Sequence, residues 1–330
     1  MPTPFFIVGA SRSGTTLVRL LLNAHSRLAV PSELKYLQTV SHHARLERWR
    51  DPGLSEGAYR DIVRAFLTRR REVFEEIGGD RLERLILADA ERTPRAPYRI
   101  ALEAWAQFHG KERWGEKTPR NLFYADVLAD MFPGARFVYV ARDPRAVVAS
   151  MNRIAYFSDD TVLNALNARR SMCEGLTHLR ASVPEAARIV VRYEDLVADP
   201  EREARRLCRF LAEPFEPAML GFHRRAAEFM GRQIRTPAVT RPVTEAHAEK
   251  WKRQLSPREV ATVEAVCAGP MREWGYAPTG APAELADRLD RALRRTYWTL
   301  KGWQHAGQRG YAVHHAPFGR TRGRLRRLFA

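Results

Sequence analysis

Length, composition and charge exclude several classes of protein at the outset. The chain has 330 residues, 45% of them hydrophobic and 28% charged, which is typical of a folded globular protein and not of a disordered one. Its three cysteines are far apart and form no C-x-x-C pair, which argues against a disulfide framework and a cysteine zinc site and favours a reducing compartment. The formal net charge of +17 favours a polyanionic partner: nucleic acid, an acidic membrane surface or a polyanionic small molecule.

The N-terminal segment predicts a buried strand that starts the fold directly. Phe5 to Val8 is a short apolar run, and a glycine loop follows it at once, so we expect neither a signal peptide nor an anchor before the fold. Apolar runs elsewhere fall short of the roughly 18 residues that a membrane span requires. We therefore expect a soluble, cytoplasmic protein.

The loop after this strand has the glycine spacing of a phosphate-binding loop but lacks its lysine. In the pattern G-x-x-x-x-G-K-[ST], backbone N–H groups and the following helix N-terminus hold the phosphates, and the lysine spans the outer two. Here Gly9 and Gly14 match the glycines, whereas Thr15 occupies the lysine position. The side-chain donors around the turn are instead Arg12, Ser13, Thr15 and Thr16. Such a loop suits a sulfuryl group, which carries less negative charge than a terminal phosphate and needs no divalent metal; the alternative is a tight turn without a ligand.

Strands that alternate with helices predict an α/β fold with a mostly parallel central sheet flanked by helices. Residues 135–141 and 187–193 are the further strand candidates, and a helical pattern follows each of them. From about residue 41 to residue 113 the pattern is mainly helical, which predicts an insertion within a single domain over residues 1–280. A basic extension that contains aromatic residues, 281–330, follows this domain.

The residues after the second strand predict an anion ligand and a helix start. Arg142 follows the strand where a metal-binding acid would otherwise stand, and no acidic residue of that kind is evident. Asp143 and Pro144 are typical of a helix N-cap and first helical residue, although Asp143 could also be argued as the acid. Arg145 is expected to face solvent.

Four segments resemble, in order, sulfotransferases that use 3′-phosphoadenosine-5′-phosphosulfate (PAPS), in the bacterial branch related to tyrosylprotein and carbohydrate sulfotransferases. The segments are VGASRSGTTLVRLLLNAH, WGEKTPRN, FPGARFVYVARDPRAVVASM and VRYEDLVADPEREARRLCRFL. The resemblance implies a three-layer sandwich like that of the P-loop proteins, with the helical insertion on the acceptor side. It also implies transfer of a sulfuryl group from PAPS to an acceptor hydroxyl without a metal, with 3′,5′-ADP (PAP) as the product.

The resemblance carries over to individual donor-binding residues. By this analogy the donor is bound by Arg12, Ser13, Gly14, Thr15 and Thr16 at its 5′-phosphosulfate, by Arg142 and Ser150 at its 3′-phosphate, and by Tyr193 near its adenine. For Ser150 a helix serine bonded to its own backbone is the alternative, and for Tyr193 it is core packing. The basic glycine loop that closes the site in the cytosolic branch is not found; residues 249–255 are the nearest equivalent.

The catalytic residues implied are Arg12, Lys117 and Glu33. Lys117 in WGEKTPRN would reach the sulfuryl group from a different strand end, and Glu116 beside it is expected to pair with a neighbouring cation. Pro119 stands where one branch of the family has a histidine base, so Glu33 in VPSELKYL, expected at a helix start beside the loop, is the predicted general base. The substitute candidates are His25, His42 and His43; Lys117 as a surface residue and Glu33 as a helix-terminal residue are the structural alternatives.

Two other function classes stay open on the sequence alone. A small-molecule kinase is the alternative enzyme, and a basic nucleic-acid or membrane-surface binder is the alternative outside enzymes. No nucleic acid is expected as a partner, but the extension 281–330 could lie on an anionic membrane surface, bind an acidic acceptor or be a solvated terminus. The acceptor is open among a sugar, a lipid-linked glycan, a tyrosine and a natural-product hydroxyl, and so is the oligomeric state.

Overall fold

A computed structural model of the chain describes residues 3–40, 53–224, 247–280, 288, 290 and 292–299. The chain forms two compact units: Met1–Arg142 with Gly175–Ala248, and Asp143–Glu174 with Glu249–Ala330. The candidates His42 and His43 and most of the predicted C-terminal extension lie outside the described residues. Within the described ranges, no helix is long and apolar enough to span a membrane.

The first unit is built on a five-stranded sheet in which every neighbouring pair of strands is parallel. Its strands are β1 (Phe5–Gly9), β2 (Leu28–Ala29), β3 (Arg113–Lys117), β4 (Arg136–Ala141) and β5 (Arg188–Arg192), and their order across the sheet is β2-β3-β1-β4-β5. The predicted α/β class with a parallel sheet is thus confirmed, and the three strands predicted from apolar patterns lie within one or two residues of their expected bounds.

The helices of the described residues follow in chain order. They are α1 (Thr15–Asn23), α2 (Tyr36–Val40), α3 (Glu56–Arg69), α4 (Arg71–Phe74), α5 (Gly79–Leu87), α6 (Ala96–Phe108), α7 (Ala125–Met131), α8 (Pro144–Met151), α9 (Thr161–Arg170), α10 (Leu176–Ser182), α11 (Tyr193–Ala198), α12 (Pro200–Leu211), α13 (Trp251–Gln254), α14 (Pro257–Val266) and α15 (Ala268–Glu273). Between about 53 and 113 the described residues are mainly helical; that this segment is an insertion stays a prediction.

Helices cover both faces of the sheet. Successive side chains of its central strand, β1, point to opposite faces, so each face contributes apolar residues to a helix interface. Phe5 and Ile7 are fully buried in an apolar cluster with side chains of α1 and α12. On the opposite face the ring of Phe6 stacks on Tyr98 of α6 and contacts Phe132, which follows α7. Every residue from Phe5 to Val8 is therefore inaccessible to solvent, as expected for a central parallel strand.

The topology gathers the predicted site at one edge of this sheet. In a parallel sheet the carboxyl ends of all strands lie at the same edge, and ligands bind there at the point where the strand order reverses. The order β2-β3-β1-β4-β5 reverses around β1, since β2 and β3 lie on one side of it and β4 and β5 on the other. Lys117 is the last residue of β3, and the glycine loop, Arg142 and Tyr193 follow the carboxyl ends of β1, β4 and β5.

The described residues of the second unit are mainly helical, and one prediction about them is wrong. The N-cap prediction at its start is confirmed, because the Asp143 carboxylate accepts from the Arg145 N–H and Pro144 is the first residue of α8. The prediction that Arg145 faces solvent is wrong: its side chain is 6% exposed and donates 2.7 Å hydrogen bonds to Asp143 and to Glu264 of α14. Its guanidinium also lies 4.1 Å from the ring centre of Trp251. Two carboxylates and an aromatic face explain why this arginine is buried.

Within the second unit, residues 292–299 of the predicted C-terminal extension contact the start of α9. The described residues 292–299 are helical, and Trp298 donates from its indole nitrogen to the Asp160 carboxylate at 2.9 Å. Arg294 donates to the same carboxylate at 3.2 Å. Asp160 is also the N-cap of α9, so one acidic side chain links this helical segment to a helix start. The domain boundary near residue 280 stays a prediction.

Candidate active site

The glycine loop after β1 has the backbone geometry that its two glycines predict. Gly9 has φ +151°, and a Cβ atom at this position would lie 2.7 Å from the Val140 carbonyl oxygen of β4. Gly14 is the N-cap of α1 with φ +105°, and a Cβ atom there would lie 2.4 Å from Cδ2 of Tyr193. Both positions thus require glycine, because L-residues avoid such φ values and neighbours occupy the space.

The start of α1 offers donors that its own residues do not use. The first N–H groups of a helix have no intrahelical acceptor, and α1 has neither a capping side chain nor an acidic residue in its first turn. Ser13 is fully buried, and among the described residues no group hydrogen-bonds its hydroxyl oxygen. Arg12 adopts φ +73° in the same turn, and burial together with the charge of Arg142 lowers its pKa. Such a turn is a ready anion site.

Arg142 connects this turn to two other segments of the first unit. One guanidinium nitrogen, Nη1, donates to the Arg12 carbonyl oxygen at 3.2 Å, and Nη2 donates to the His247 carbonyl oxygen at 3.1 Å. The guanidinium carbon lies 3.9 Å from the ring centre of Tyr193, the first residue of α11. Arg142 Nε is buried and has no hydrogen-bond partner among the described residues. An arginine held by carbonyls and a ring keeps its charge available to an anion.

Lys117 and Glu33 form an ion pair at the same edge. Lys117 Nζ lies 2.7 Å from Glu33 Oε1, and the two side chains are 5% and 34% exposed. Burial raises the pKa of Glu33, but the positive charges of Lys117, Lys35 and Arg70 lower it by a larger amount. The pKa of Glu33 therefore lies below its usual value. Burial also lowers the pKa of Lys117, and Glu33 opposes this effect. The pair therefore provides a carboxylate base beside an ammonium group.

Arg19 is a buried cation of this edge that the sequence reasoning missed. It lies on α1, one turn after Thr15, and is only 2% exposed. Its Nη1 donates to the Ser32 hydroxyl at 3.2 Å, beside Glu33. Burial lowers its pKa to about 10, and Glu33 opposes the shift, so the group is still charged at neutral pH. A signal was present, since an arginine interrupts the apolar run LVRLLL of this helix.

Two expectations around the ion pair are wrong. Glu33 does not start a helix: α2 begins only at Tyr36, because Lys35 has φ +50°, which is outside the helical region. Glu116 does not pair with a cation in the described part of the chain. It is fully buried, and its carboxylate accepts from the Thr118 hydroxyl at 2.5 Å and the Asn121 amide at 2.7 Å, which satisfy it without a positive charge.

The remaining candidates lie apart from this group or in the other unit. His25 lies beyond the carboxyl end of α1, where Nδ1 accepts from the Arg27 N–H at 3.0 Å and Nε2 donates to the Pro214 carbonyl at 2.9 Å. Both nitrogens are thus used at the end of the helix opposite to the glycine loop. Ser150 belongs to α8 of the second unit, and its role stays a prediction.

Comparison with known proteins identifies the family. The model of the "Sulfotransferase family" matches residues 4–217, more than half of the chain. The chain belongs to the sulfotransferase family. The predicted membership is thus confirmed, and the matched segment contains the glycine loop, Glu33, Lys117, Arg142 and Tyr193 of this sulfotransferase.

Curated relatives and solved structures agree with this assignment. Protein-tyrosine sulfotransferase A of Caenorhabditis elegans is 25% identical over 306 residues, which cover 89% of this chain and 73% of the relative. Nodulation protein NoeE of Sinorhizobium fredii is 24% identical over 343 residues, which cover 93% and 76%. The sulfotransferase domain from the Synechococcus PCC 7002 olefin synthase has a TM-score of 0.59 at 24% identity, covering 84% of this chain and 96% of that domain. That likeness confirms the predicted fold.

Proposed function

We propose that this sulfotransferase transfers a sulfuryl group from PAPS to an acceptor hydroxyl. The observation that carries the proposal is the contact between Arg142 and the Arg12 turn, with 3.2 Å between Nη1 and the carbonyl oxygen. Two anion-binding groups from distant parts of the chain thus lie close enough for one nucleotide to reach both. The Lys117–Glu33 pair at the same sheet edge supplies groups for the transfer itself.

Donor binding divides between the two anion-binding groups. The amides at the start of α1 and the Ser13 hydroxyl hold the 5′-phosphosulfate, because the amides have no intrahelical acceptor and the hydroxyl has no partner among the described residues; Arg12 adds a positive charge in the same turn. Arg142 binds the 3′-phosphate, for which its buried Nε is a free donor among the described residues. Tyr193 fixes the plane of that guanidinium and lies beside the adenosine. Thr15, Thr16 and Ser150 are kept as further donors by resemblance.

Glu33 acts as the general base of the transfer. Its lowered pKa keeps it ionised at neutral pH, so it can accept the proton of the acceptor hydroxyl. The acceptor oxygen then forms a bond to sulfur while the bond between sulfur and the 5′-phosphate oxygen breaks, and PAP leaves with that electron pair. Lys117 and Arg12 stabilise the negative charge that develops on the leaving oxygen. The rate thus depends on positioning and fixed charge, as in phosphoryl transfer.

Glu33→Gln tests the assignment of the base. We expect transfer from PAPS to fall by about 10²- to 10⁴-fold, the usual contribution of a general base, while PAP affinity measured by calorimetry changes little. Glu112→Gln is the matched control, because Glu112 is 62% exposed and immediately precedes β3, at the sheet edge opposite to the candidate site. An undiminished rate in Glu33→Gln would remove Glu33 as the base.

The donor is tested separately from the base. PAP affinity that survives EDTA, together with sulfuryl transfer in EDTA, is the expected result. A small-molecule kinase would instead turn over ATP in a Mg²⁺-dependent manner, and that result would replace the proposal. Labelled PAPS, added with the protein to an extract of its host, identifies the acceptor among sugars, lipid-linked glycans, tyrosines and natural-product hydroxyls.

We further propose that the enzyme works in a bacterial cytoplasm and that its extension, 281–330, contacts an anionic membrane surface. The membrane contact is supported by the charge of the extension, because residues 297–330 contain seven Lys and Arg residues and no acidic residue. A chain truncated after Asp290 should lose binding to vesicles of anionic lipid while it keeps PAP affinity. Unchanged vesicle binding would leave the extension as a solvated terminus.

A further inference from the structure

The end of β3 holds the backbone of the segment that carries Glu33. We call residues 33–35 the Glu33 segment. The Leu34 N–H donates to Glu116 Oε1 at 3.3 Å, and the Lys35 N–H donates to the Thr118 hydroxyl oxygen at 3.2 Å. Two consecutive backbone donors of the segment are thus bound by side chains from one short stretch of chain.

Thr118 acts as a relay in this arrangement. Its own hydroxyl proton is donated to Glu116 Oε1 at 2.5 Å, which leaves an oxygen lone pair for the Lys35 N–H. Both side chains are buried, with residual exposures of 1% for Thr118 and 0% for Glu116. Asn121 donates to the second oxygen of Glu116 at 2.7 Å and fixes its orientation. A single buried carboxylate therefore anchors both hydrogen bonds to the segment.

The segment itself is strained, and it is held from a second side. Lys35 has φ +50°, a left-handed conformation that persists in a residue other than glycine only where surrounding contacts enforce it. Arg70, which follows α3, donates from Nε to the Leu34 carbonyl oxygen at 2.9 Å. Strain that is enforced by several buried contacts is characteristic of positions where geometry matters to function.

Alternation along the strand connects this arrangement to the ion pair. Glu116 and Thr118 lie on one side of the extended chain, and Lys117 between them points to the other. Lys117 nevertheless meets the same segment, since its Nζ lies 2.7 Å from the Glu33 carboxylate. Residues 116–118 thus bind residues 33–35. Glu116 and Thr118 bind backbone N–H groups, and Lys117 binds the Glu33 carboxylate.

We propose that Glu116 and Thr118 are positioning residues for Glu33. They hold the backbone of the Glu33 segment so that its carboxylate stays at contact distance from Lys117 and faces the acceptor hydroxyl. The inference rests on the proposed function, because it gives these two residues a task only if Glu33 is the base.

The proposal makes the pKa of Glu33 the property to measure. The charged groups that face Glu33 are Lys117 and Glu116 of β3, Lys35 of its own segment, Arg70 after α3, Arg12 of the glycine loop and Arg19 of α1. The Coulomb attraction of Lys117 falls as the pair separates. If the segment is released, the pKa of Glu33 therefore rises towards its ordinary value.

Thr118→Val is the decisive variant, with Thr118→Ser as its matched control. Valine has the shape of threonine and, like threonine, carries no charge, but it can neither accept from Lys35 nor donate to Glu116. We expect kcat to fall by about ten- to a hundredfold, as for a misplacement of about 1 Å, with little change in the KM for the donor. The acid limb of the kcat profile should move to higher pH. Serine keeps the hydroxyl and should behave like the wild type.

A titration of the free protein makes the test independent of activity. The carbon-13 signal of the Glu33 carboxyl is assigned by its loss in Glu33→Gln, and its midpoint is measured in each variant. A higher midpoint in Thr118→Val, but not in Thr118→Ser, supports the proposal. An unchanged midpoint with lower thermal stability shows a purely structural role and overturns it.

Two controls separate this proposal from other failures. Thr118→Ala, which removes the hydroxyl without steric demand, replaces Thr118→Val if that variant does not fold, and the same midpoint shift is expected. If Glu33→Gln transfers sulfate at the full rate, Glu33 is not the base and the two residues lose the task proposed for them, whereas the midpoint still reports whether Thr118 holds the segment.

Discussion

Gly14→Ala is expected to damage both the stability of the protein and the proposed donor site. The residue is the N-cap of α1 with φ +105°, and its missing Cβ atom would lie 2.4 Å from Cδ2 and 3.1 Å from Cε2 of Tyr193. Tyr193 is 9% exposed and packed in the apolar cluster with α1, so its ring has little room to move. A single methyl group therefore acts on the backbone and on the ring at once.

Both costs can be given a magnitude. A left-handed backbone costs an L-residue about 1–2 kcal/mol. Overpacking of a buried site adds about 1–3 kcal/mol, which gives about 2–5 kcal/mol of lost unfolding free energy. Displacement of the ring also removes its contact with the Arg142 guanidinium, now 3.9 Å from the ring centre. Because such a contact contributes about 0.5–2 kcal/mol, PAP affinity should weaken by about two- to thirtyfold.

Urea unfolding and calorimetric titration with PAP measure the two effects. Gly110→Ala is the matched control in the same unit, since Gly110 has φ +64° but no atom within 4 Å of the added methyl group. It should lose only the backbone term, about 1–2 kcal/mol, and keep PAP affinity. If Gly14→Ala were no less stable than Gly110→Ala and bound PAP normally, the assigned contact between loop and ring would be refuted.

The ion pairs of Arg145 and of Glu33 lead to the remaining predictions. Arg145→Met leaves the carboxylates of Asp143 and Glu264 without their shared cation, and we expect the unfolding free energy in urea to fall by about 3–5 kcal/mol; wild-type stability would contradict the burial described. Burial raises the pKa of Glu33, but Lys117 and other cations lower it below its value in the unfolded chain. The ionised Glu33 carboxylate therefore stabilises the fold above the unfolded pKa, and this stabilisation is lost as the pH falls through the folded pKa. The difference in unfolding free energy between the wild type and Glu33→Gln should thus shrink from about pH 7 to about pH 3, and a constant difference would contradict the sign of the shift.

The sheet was predictable only where strands carry an apolar pattern. Strands β1, β4 and β5 are runs of branched and aromatic residues, and the sequence places them correctly. Strand β2 has two residues, too few to show any period. Strand β3 reads RWGEK, so composition argues against burial, yet all five residues are buried; it was expected only through the resemblance around Lys117.

The candidate site could be predicted where its residues lie at the ends of strands. Buried residues whose hydrogen-bond or ion-pair partners decide their role were harder to predict. Arg12 and Arg142 were expected to bind opposite ends of one donor molecule, and they are in hydrogen-bond contact. Arg145 was misjudged because its partner Glu264 is far away in sequence. Glu116 was misjudged because neutral donors replace a cation, an arrangement that no local pattern indicates.

The reach of Arg142 has a practical consequence for any shortened version of this enzyme. The family match ends at residue 217, but the guanidinium is held by the carbonyl of His247, thirty residues beyond that limit. A fragment cut at the family boundary would therefore carry every motif residue and still lack one of the supports that orient the arginine. The smallest piece worth expressing for nucleotide binding extends past residue 247.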